Sequence, residues 1–222
     1  MTARIILLNP NSTTAMTDDM VAIARAALPP GMTVSGRTNR SGPPAIQGEA
    51  DVAACLPGLF DLARDAAAAQ ADAIVIGCFD DTGLTDLRAA MPCPVVGLGE
   101  AGMLAATLAA PRFAVLTTTD GSVPAITANI TAMGLMPRCD TVRAAQIPVL
   151  DLPLRVPDLR QALATLAADT GAGAIVLGCA GMGSLAPSLA APGLPVLIDP
   201  VRAAVLLAAA SLSCGFRPPA TA

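Results

Sequence analysis

The 222-residue sequence contains no His, no Trp and no Tyr, and because all 13 of its basic residues are Arg it also contains no Lys. The absence of His excludes a Ser-His-Asp or Cys-His catalytic arrangement and an imidazole zinc site. The absence of Lys excludes a Schiff base, a pyridoxal phosphate anchor and the phosphate-binding lysine of a P-loop. Any proton transfer at a functional site must therefore rely on Cys, Asp or Glu.

Charge and hydropathy narrow the class of protein further. Hydrophobic residues make up 54% of the chain and charged residues only 14%, which is typical of a folded protein and not of a disordered one. A net charge of −4 and an aromatic content of 2% argue against nucleic acid or an anionic membrane as a partner. No apolar run reaches the roughly 18–20 residues of a spanning helix, and the first apolar stretch is too short for a signal peptide. We expect a cytoplasmic protein with a small-molecule partner.

Six cysteines are present, and none of them form a CxxC pair. A structural zinc site would need four of these scattered thiols to converge, so we expect no metal site. A cytosolic cysteine is usually a small buried hydrophobic residue, and this interpretation is applied to Cys55, Cys93, Cys139 and Cys214. Cys78 and Cys179 remain as candidates for chemistry.

Short aliphatic runs alternate along the chain with Ala- and Leu-rich stretches of helical period. The runs lack polar alternation, as expected for strands covered by helices on both faces, and the alternation predicts an α/β fold with doubly wound parallel sheets. Strands are predicted at 5–8, 32–35, 73–76, 95–97, 113–117, 174–177 and 196–198, and helices at 14–27, 49–69, 99–108, 122–132, 158–168 and 201–211.

An internal repeat relates the elements in the first half of the chain to those in the second half. The run that ends in Gly77-Cys78 is echoed 101 residues later by the run that ends in Gly178-Cys179, and the Pro-Val pair at 94–95 is echoed at 195–196 by the same offset. Aliphatic strand composition alone explains the runs but not the Gly-Cys pair after each of them. We infer two pseudo-symmetric lobes, one of residues 1–100 plus about 200–222 and the other of residues 101–199.

Polar residues follow four of the predicted strands, at 9–13, 77–82, 117–120 and 178–182. The carboxyl ends of parallel strands are where ligands bind in open sheets, so a pseudo-two-fold axis would bring Cys78 and Cys179 to one cleft. Two thiols on opposite sides of a substrate can invert a carbon centre, and a helix N-terminus beside a thiol lowers its pKa. Residues 9–13 are also compatible with a simple helix cap, and Asp80 and Asp81 with solvated or helix-capping acids.

The same motifs, taken in order over nearly the whole chain, resemble the hydantoin racemase branch of the aspartate/glutamate racemase superfamily. They are Asn-Pro-Asn-Ser-Thr at 9–13, Gly-Cys-Phe-Asp-Asp-Thr-Gly-Leu at 77–84, Val-Gly-Leu-Gly-Glu-Ala at 96–101, Leu-Thr-Thr at 116–118 and Gly-Cys-Ala-Gly-Met at 178–182.

The resemblance implies a cofactor-independent racemase of hydantoins or allantoin, built as two α/β lobes with the active site in the cleft between them. Cys78 and Cys179 would be its two acid/base residues, and members of the family are commonly homo-oligomers. The residues implied to hold the substrate are Asn11, Phe79, Thr117, Thr118, Ala180 and Gly181.

Two features leave the substrate open. Family members follow the first cysteine with Phe-Gly-Asp-Pro-Gly, whereas this chain has Asp80 in place of the first glycine and Thr82 in place of the proline. The Cys-Asn-Thr and Gly-Cys-Thr motifs typical of amino-acid racemases are absent, which disfavours a free amino acid. The alternatives are an aspartate/glutamate-type racemase, a carboxylate isomerase or decarboxylase of the superfamily, or a non-catalytic small-molecule binder or redox sensor in which Cys78 and Cys179 form a reversible disulfide.

Overall fold

The computed structural model describes residues 3–216 and contains two four-stranded parallel sheets. The strands of the first are β1 (Ala3–Asn9), β2 (Met32–Thr38), β3 (Ala73–Ile76) and β4 (Val95–Gly97), and those of the second are β5 (Phe113–Thr117), β6 (Cys139–Ala144), β7 (Ala174–Leu177) and β8 (Val196–Ile198). The strand order is β2-β1-β3-β4 in the first sheet and β6-β5-β7-β8 in the second. The two sheets therefore share one topology.

Helices cover both faces of each sheet. They are α1 (Thr14–Ala27), α2 (Glu49–Ala68), α3 (Leu84–Ala90), α4 (Leu98–Ala109), α5 (Val123–Ala132), α6 (Val156–Asp169), α7 (Ala186–Leu189) and α8 (Pro200–Ser213). Alternate residues of β1 show the arrangement, because Ile5 and Leu7 pack with α1, α4 and α8, whereas Ile6 and Leu8 pack with α2 and α3. The predicted α/β fold with two doubly wound lobes is confirmed.

Helix α4 joins the two lobes. Its Leu98 and Ala101 belong to the core of the first sheet, and its Met103 and Ala106 belong to the core of the second. Helix α8 packs directly on β1, β3 and β4 of the first sheet, between α1 and α4, which it also contacts. The predicted division into residues 1–100 plus about 200–222 and residues 101–199 stays a prediction. Its boundary falls inside α4, and residues 217–222 lie outside the described residues.

The two Gly-Cys pairs occupy equivalent positions in the two sheets. The backbone N–H of Gly77, just after β3, donates to the Leu8 carbonyl of β1 at 2.7 Å, and that of Gly178, just after β7, donates to the Leu116 carbonyl of β5 at 2.7 Å. A Cβ atom at Gly178 would lie only 2.8 Å from that Leu116 oxygen, so a glycine is needed for the strands to approach this closely. The sequence repeat thus corresponds to a repeat in the hydrogen bonding that places each cysteine.

Four features differ from the sequence-based expectation. Strand β6 and helices α3 and α7 were not predicted, because β6 is a half-exposed edge strand without a continuous apolar run and the two helices have only seven and four residues. Cys55, Cys93 and Cys139 are buried as expected, but the prediction for Cys214 is wrong. Cys214 is exposed because it caps the end of α8, beyond the last turn that reaches the core. Within residues 3–216, no helix combines the length and hydropathy that crossing a membrane requires.

Candidate active site

A small cavity lies where the carboxyl ends of strands from both sheets meet. Loops that follow β1, β3, β5 and β7 each contribute to its wall, so the cavity is formed jointly by the two lobes. Six of the eight residues predicted from the sequence line it. They are Asn11, Cys78, Phe79, Thr118, Cys179 and Ala180.

The other two predicted residues lie behind this wall. Thr117 is buried at the end of β5, and its hydroxyl donates to the Gly178 carbonyl at 3.0 Å, which fixes the backbone just before Cys179. Gly181 lies in a single 3₁₀ turn, Ala180–Met182, and its backbone N–H donates to the Cys179 thiol. In this structure both residues act on the position or charge of Cys179 and do not line the cavity.

The two cysteines that line the cavity are free thiols in an environment that disfavours their ionisation. Burial raises the pKa of Cys78 well above its usual value, the nearby Asp80 carboxylate raises it further, and the Thr82 hydroxyl, which donates to the sulfur at 3.6 Å, opposes both. Burial likewise raises the pKa of Cys179 to about 12, against the backbone N–H groups of Gly181 and Met182. The expected lowering of pKa by helical N–H groups is therefore present at Cys179, but burial outweighs it.

The Asn11 side chain combines a structural and a ligand-facing role. Its Oδ1 accepts from the Thr13 backbone N–H at 2.9 Å and from Asn9 Nδ2 at 3.0 Å, which holds the turn before α1. Its Nδ2 makes only a weak contact with Met16 Sδ at 3.7 Å. The two interpretations of residues 9–13, a helix-capping turn and a substrate-binding loop, are thus compatible. The Asn11 side-chain oxygen holds the turn, and its amide N–H groups remain as donors at the cavity.

The two adjacent acids have different surroundings, and neither is a solvated loop acid. Asp81 accepts from the backbone N–H groups of Gly99 at 2.8 Å and Glu100 at 2.7 Å, so it caps the N-terminus of α4. Asp80 lines the cavity and accepts from Ser122 Oγ at 3.4 Å. Burial raises the pKa of Asp80 to about 6, against the Ser122 hydrogen bond, so the group is an anion above about pH 7.

Four further residues line the cavity without having been identified in the sequence: Met16, Ile46, Ser122 and Val149. Ile46 belongs to a loop, residues 39–48, that precedes α2 and reaches the second lobe. In that loop the Gln47 Oε1 atom accepts from the Val149 backbone N–H at 2.9 Å. No pattern in the sequence indicates this contact, because the two residues are 102 positions apart and neither lies in a repeated motif.

The ionisable side chains that line the cavity are Cys78, Cys179 and Asp80, and no Arg is among its lining residues. Two arginines outside the cavity form surface ion pairs, Arg143 with Asp169 at 2.7 Å and Arg155 with Asp158. Among residues 3–216, no three His, Cys, Asp or Glu side chains are grouped as metal ligands would be. The ionisable groups that this wall offers for proton transfer are thus two thiols and one carboxyl group.

Two parallel α/β lobes that each bring one thiol to a shared cavity define the protein as a racemase-type enzyme, and comparison with known proteins identifies its family. A family model described as Asp/Glu/Hydantoin racemase matches residues 5–208. The chain is 41% identical over 217 residues to the hydantoin racemase of Rhizobium meliloti, covering 96% of this chain and 90% of that protein. The chain therefore belongs to the Asp/Glu/Hydantoin racemase family.

Solved structures agree with this assignment. The fold matches allantoin racemase from Klebsiella pneumoniae with a TM-score of 0.93 and 33% identity, over 98% of this chain and 90% of that one. It also matches glutamate racemase from Francisella tularensis with a TM-score of 0.71 at 12% identity, over 96% of this chain and 82% of that one, which is a likeness of fold alone. The protein is an isomerase of the racemase type, and this replaces the non-enzymatic alternatives.

Proposed function

We propose that this protein racemises a 5-substituted hydantoin or a related ureide such as allantoin, with Cys78 and Cys179 as the two acid/base groups. The observation that carries the proposal is that both thiols line one cavity, each from the equivalent strand end of its own lobe. The relatives named as hydantoin and allantoin racemases support the choice of substrate class.

The reaction needs one thiolate and one thiol. The thiolate removes the proton from C5 of the ring, and the electron pair of the broken C–H bond moves into the adjacent carbonyl to give an enolate. The opposite S–H bond then breaks and its proton forms the new C–H bond on the other face, so the two sulfurs exchange protonation states. The Asn11 amide and the backbone N–H groups of Phe79 and Ala180 are the donors for the ring oxygens, and no cofactor takes part.

The charge of the cavity favours a neutral ring over a free amino acid. A carboxylate substrate would meet Asp80 without a cation, because none of the cavity-lining residues is an Arg and the chain has no Lys or His. This is the reason to prefer a ureide over the aspartate/glutamate-type alternative or a carboxylate isomerase or decarboxylase. Two reduced thiols also fit a reducing compartment such as the cytoplasm. The homo-oligomeric state stays a prediction that sedimentation analysis would test.

The direct test is to incubate each enantiomer of 5-benzylhydantoin and of allantoin with the enzyme in D₂O. We expect the optical rotation to decay to zero and the C5 proton to exchange for deuterium, because inversion replaces the removed proton with one that has equilibrated with solvent. An enzyme-free sample corrects for spontaneous racemisation. Unchanged rotation and no exchange above that blank, for both compounds, would overturn the proposal.

The raised thiol pKa values predict a pH profile. We expect kcat/KM to rise from about pH 7 to about pH 9, because burial and Asp80 hold both thiols in the protonated form at neutral pH. Replacing Asp80 with asparagine removes the like charge, lowers both thiol pKa values and should displace the profile to lower pH. The measurement is kcat/KM for 5-methylhydantoin across this range. Superimposable profiles would contradict the electrostatic role of Asp80.

A further inference from the structure

A second cavity, larger than the first, lies next to the cavity that contains the thiols. Its wall combines three apolar side chains, Val52, Pro124 and Ala125, with two acids, Asp80 and the exposed Glu49. Asp80 lines both cavities, and it is therefore at their common boundary.

The boundary is held in place from the second lobe. Ser122, which lines the first cavity, donates to Asp80 Oδ2 at 3.4 Å, and its neighbour Gly121 lines the second cavity. Asn129 of α5 donates through Nδ2 to the Asp80 carbonyl at 3.0 Å, which fixes the backbone at this point. Asp80 is thus a positioned carboxylate between two cavities and not a mobile surface group.

Inversion at carbon restricts where the rest of the substrate can lie. With one thiol on each face of the stereocentre, the ring and the substituent must extend in the remaining directions, and the ring is held by donors of the first cavity. A substituent larger than a methyl group then needs space outside that cavity. The second cavity, which shares the lining residue Asp80 with the first, is the adjacent space available for such a group.

We propose that the second cavity holds the substituent of the inverted carbon and that Asp80, at its entrance, makes the enzyme select neutral and cationic substituents over carboxylates. This inference rests on the proposed function and specifies its substrate. Asp80 is an anion at the pH of the assay, and none of the lining residues of either cavity is an Arg that would offset the repulsion. Glu49 contributes less because its side chain is exposed to solvent, which screens its charge.

The charge selection is tested with two substrates of nearly equal shape, 5-(carboxymethyl)hydantoin and 5-(carbamoylmethyl)hydantoin, at about pH 8. We expect kcat/KM to favour the neutral carbamoyl compound by about tenfold or more in the wild type, and this ratio to approach unity in the Asp80→Asn variant. Because the two substrates are compared in the same variant, a change in thiol ionisation alters both kcat/KM values equally and cancels in their ratio. Asp86→Asn, at an exposed acid on α3 that lines neither cavity, should keep the wild-type ratio.

The role of Asp80 and the proposed function are contradicted by different results. If the wild type racemises the carbamoyl compound and Asp80→Asn keeps the wild-type ratio, the role of Asp80 is overturned and the proposed function stands. If the wild type racemises neither of these compounds nor allantoin, the proposed function falls and the inference falls with it.

The location of the substituent is tested by filling the second cavity. An Ala125→Phe variant should lower kcat/KM for 5-benzylhydantoin by about tenfold or more and leave that for 5-methylhydantoin unchanged, because only the larger substituent needs the filled space. Ala132→Phe, at an exposed position seven residues further along the same helix and thus about 10 Å along its axis from Ala125, is the matched control and should affect neither substrate. Equal loss for both substrates, or no loss for the benzyl compound, would overturn the assignment of the cavity.

Discussion

Replacing either Cys78 or Cys179 with serine is expected to lower the rate of hydantoin racemisation by about 10³-fold, within the range of roughly 10²–10⁴ that general acid/base groups contribute. A serine hydroxyl keeps the size of the side chain but does not ionise in the accessible pH range, so it neither accepts the C5 proton nor returns one. Both variants should fold, because serine has nearly the size of cysteine and each thiol, although packed against the core of its own lobe, faces the cavity. The measurement is the initial rate of decay of optical rotation, starting from each pure enantiomer.

Deuterium exchange separates a two-base mechanism from a single-base one. In a two-base enzyme each cysteine faces one enantiomer, so the Cys179→Ser variant should exchange the C5 proton of one enantiomer and the Cys78→Ser variant that of the other. In both variants exchange should exceed inversion, because the thiol that would complete inversion is missing. The same enantiomer preference in both variants would contradict the assignment of one thiol to each face.

A third serine variant serves as the control for loss of a buried sulfur. Cys93 is buried against the first sheet and does not line the cavity. Cys93→Ser should therefore racemise at the wild-type rate even if its melting temperature falls. Full activity in Cys78→Ser or Cys179→Ser would overturn the proposed mechanism, and a loss of equal size in Cys93→Ser would show that the effect is not specific to the cavity.

The sequence predicts the buried parts of this fold well and its exposed parts poorly. Strands β3, β5 and β7 begin and end where the aliphatic runs do, because a strand covered on both faces is apolar along its whole length. Edge strand β6 contains Asp140 and Arg143 and has no such run, so nothing in its composition distinguishes it from a loop. Its place in the sheet comes from pairing with β5, which is a tertiary property.

The residues of the site also divide into those that the sequence predicts and those that it does not. The residues found in advance follow strand ends, where topology alone brings Asn11, Cys78, Thr118 and Cys179 together. The contributions of Ile46 and Val149 depend on how a loop of one lobe packs against the other, and no short-range signal reports such packing. The structure also gives the two adjacent acids different roles. Asp80 lines the cavity, whereas Asp81 caps the N-terminus of α4.

The loop of residues 39–48 is the part of the site that sequence reasoning missed most completely, and it closes the cavity against the second lobe. Its Ile46 lines the cavity, and its Ala45 belongs to the hydrophobic core of the second sheet. Gln47 accepts at its side chain from the Val149 backbone N–H at 2.9 Å and at its carbonyl from Thr119 Oγ1 at 3.5 Å. The loop therefore bridges the two lobes, because its residues 39–44 form hydrogen bonds with residues 9–13 and Gln47 forms them with the second lobe.

A Gly121→Ala substitution is expected to lower kcat/KM for 5-methylhydantoin by about 100-fold, the loss that a displacement of roughly 1 Å at an active site produces. A Cβ atom at Gly121 would overlap the Gln47 carbonyl oxygen, and because that atom is backbone, the loop must move away from the cavity. Gly48→Ala is the matched control from the other side of the same contact, since its Cβ would lie at an ordinary 3.8 Å from Gly121. Gly48→Ala should racemise this substrate as the wild type does. Wild-type activity in Gly121→Ala would show that racemisation does not need this closed contact between loop and lobe.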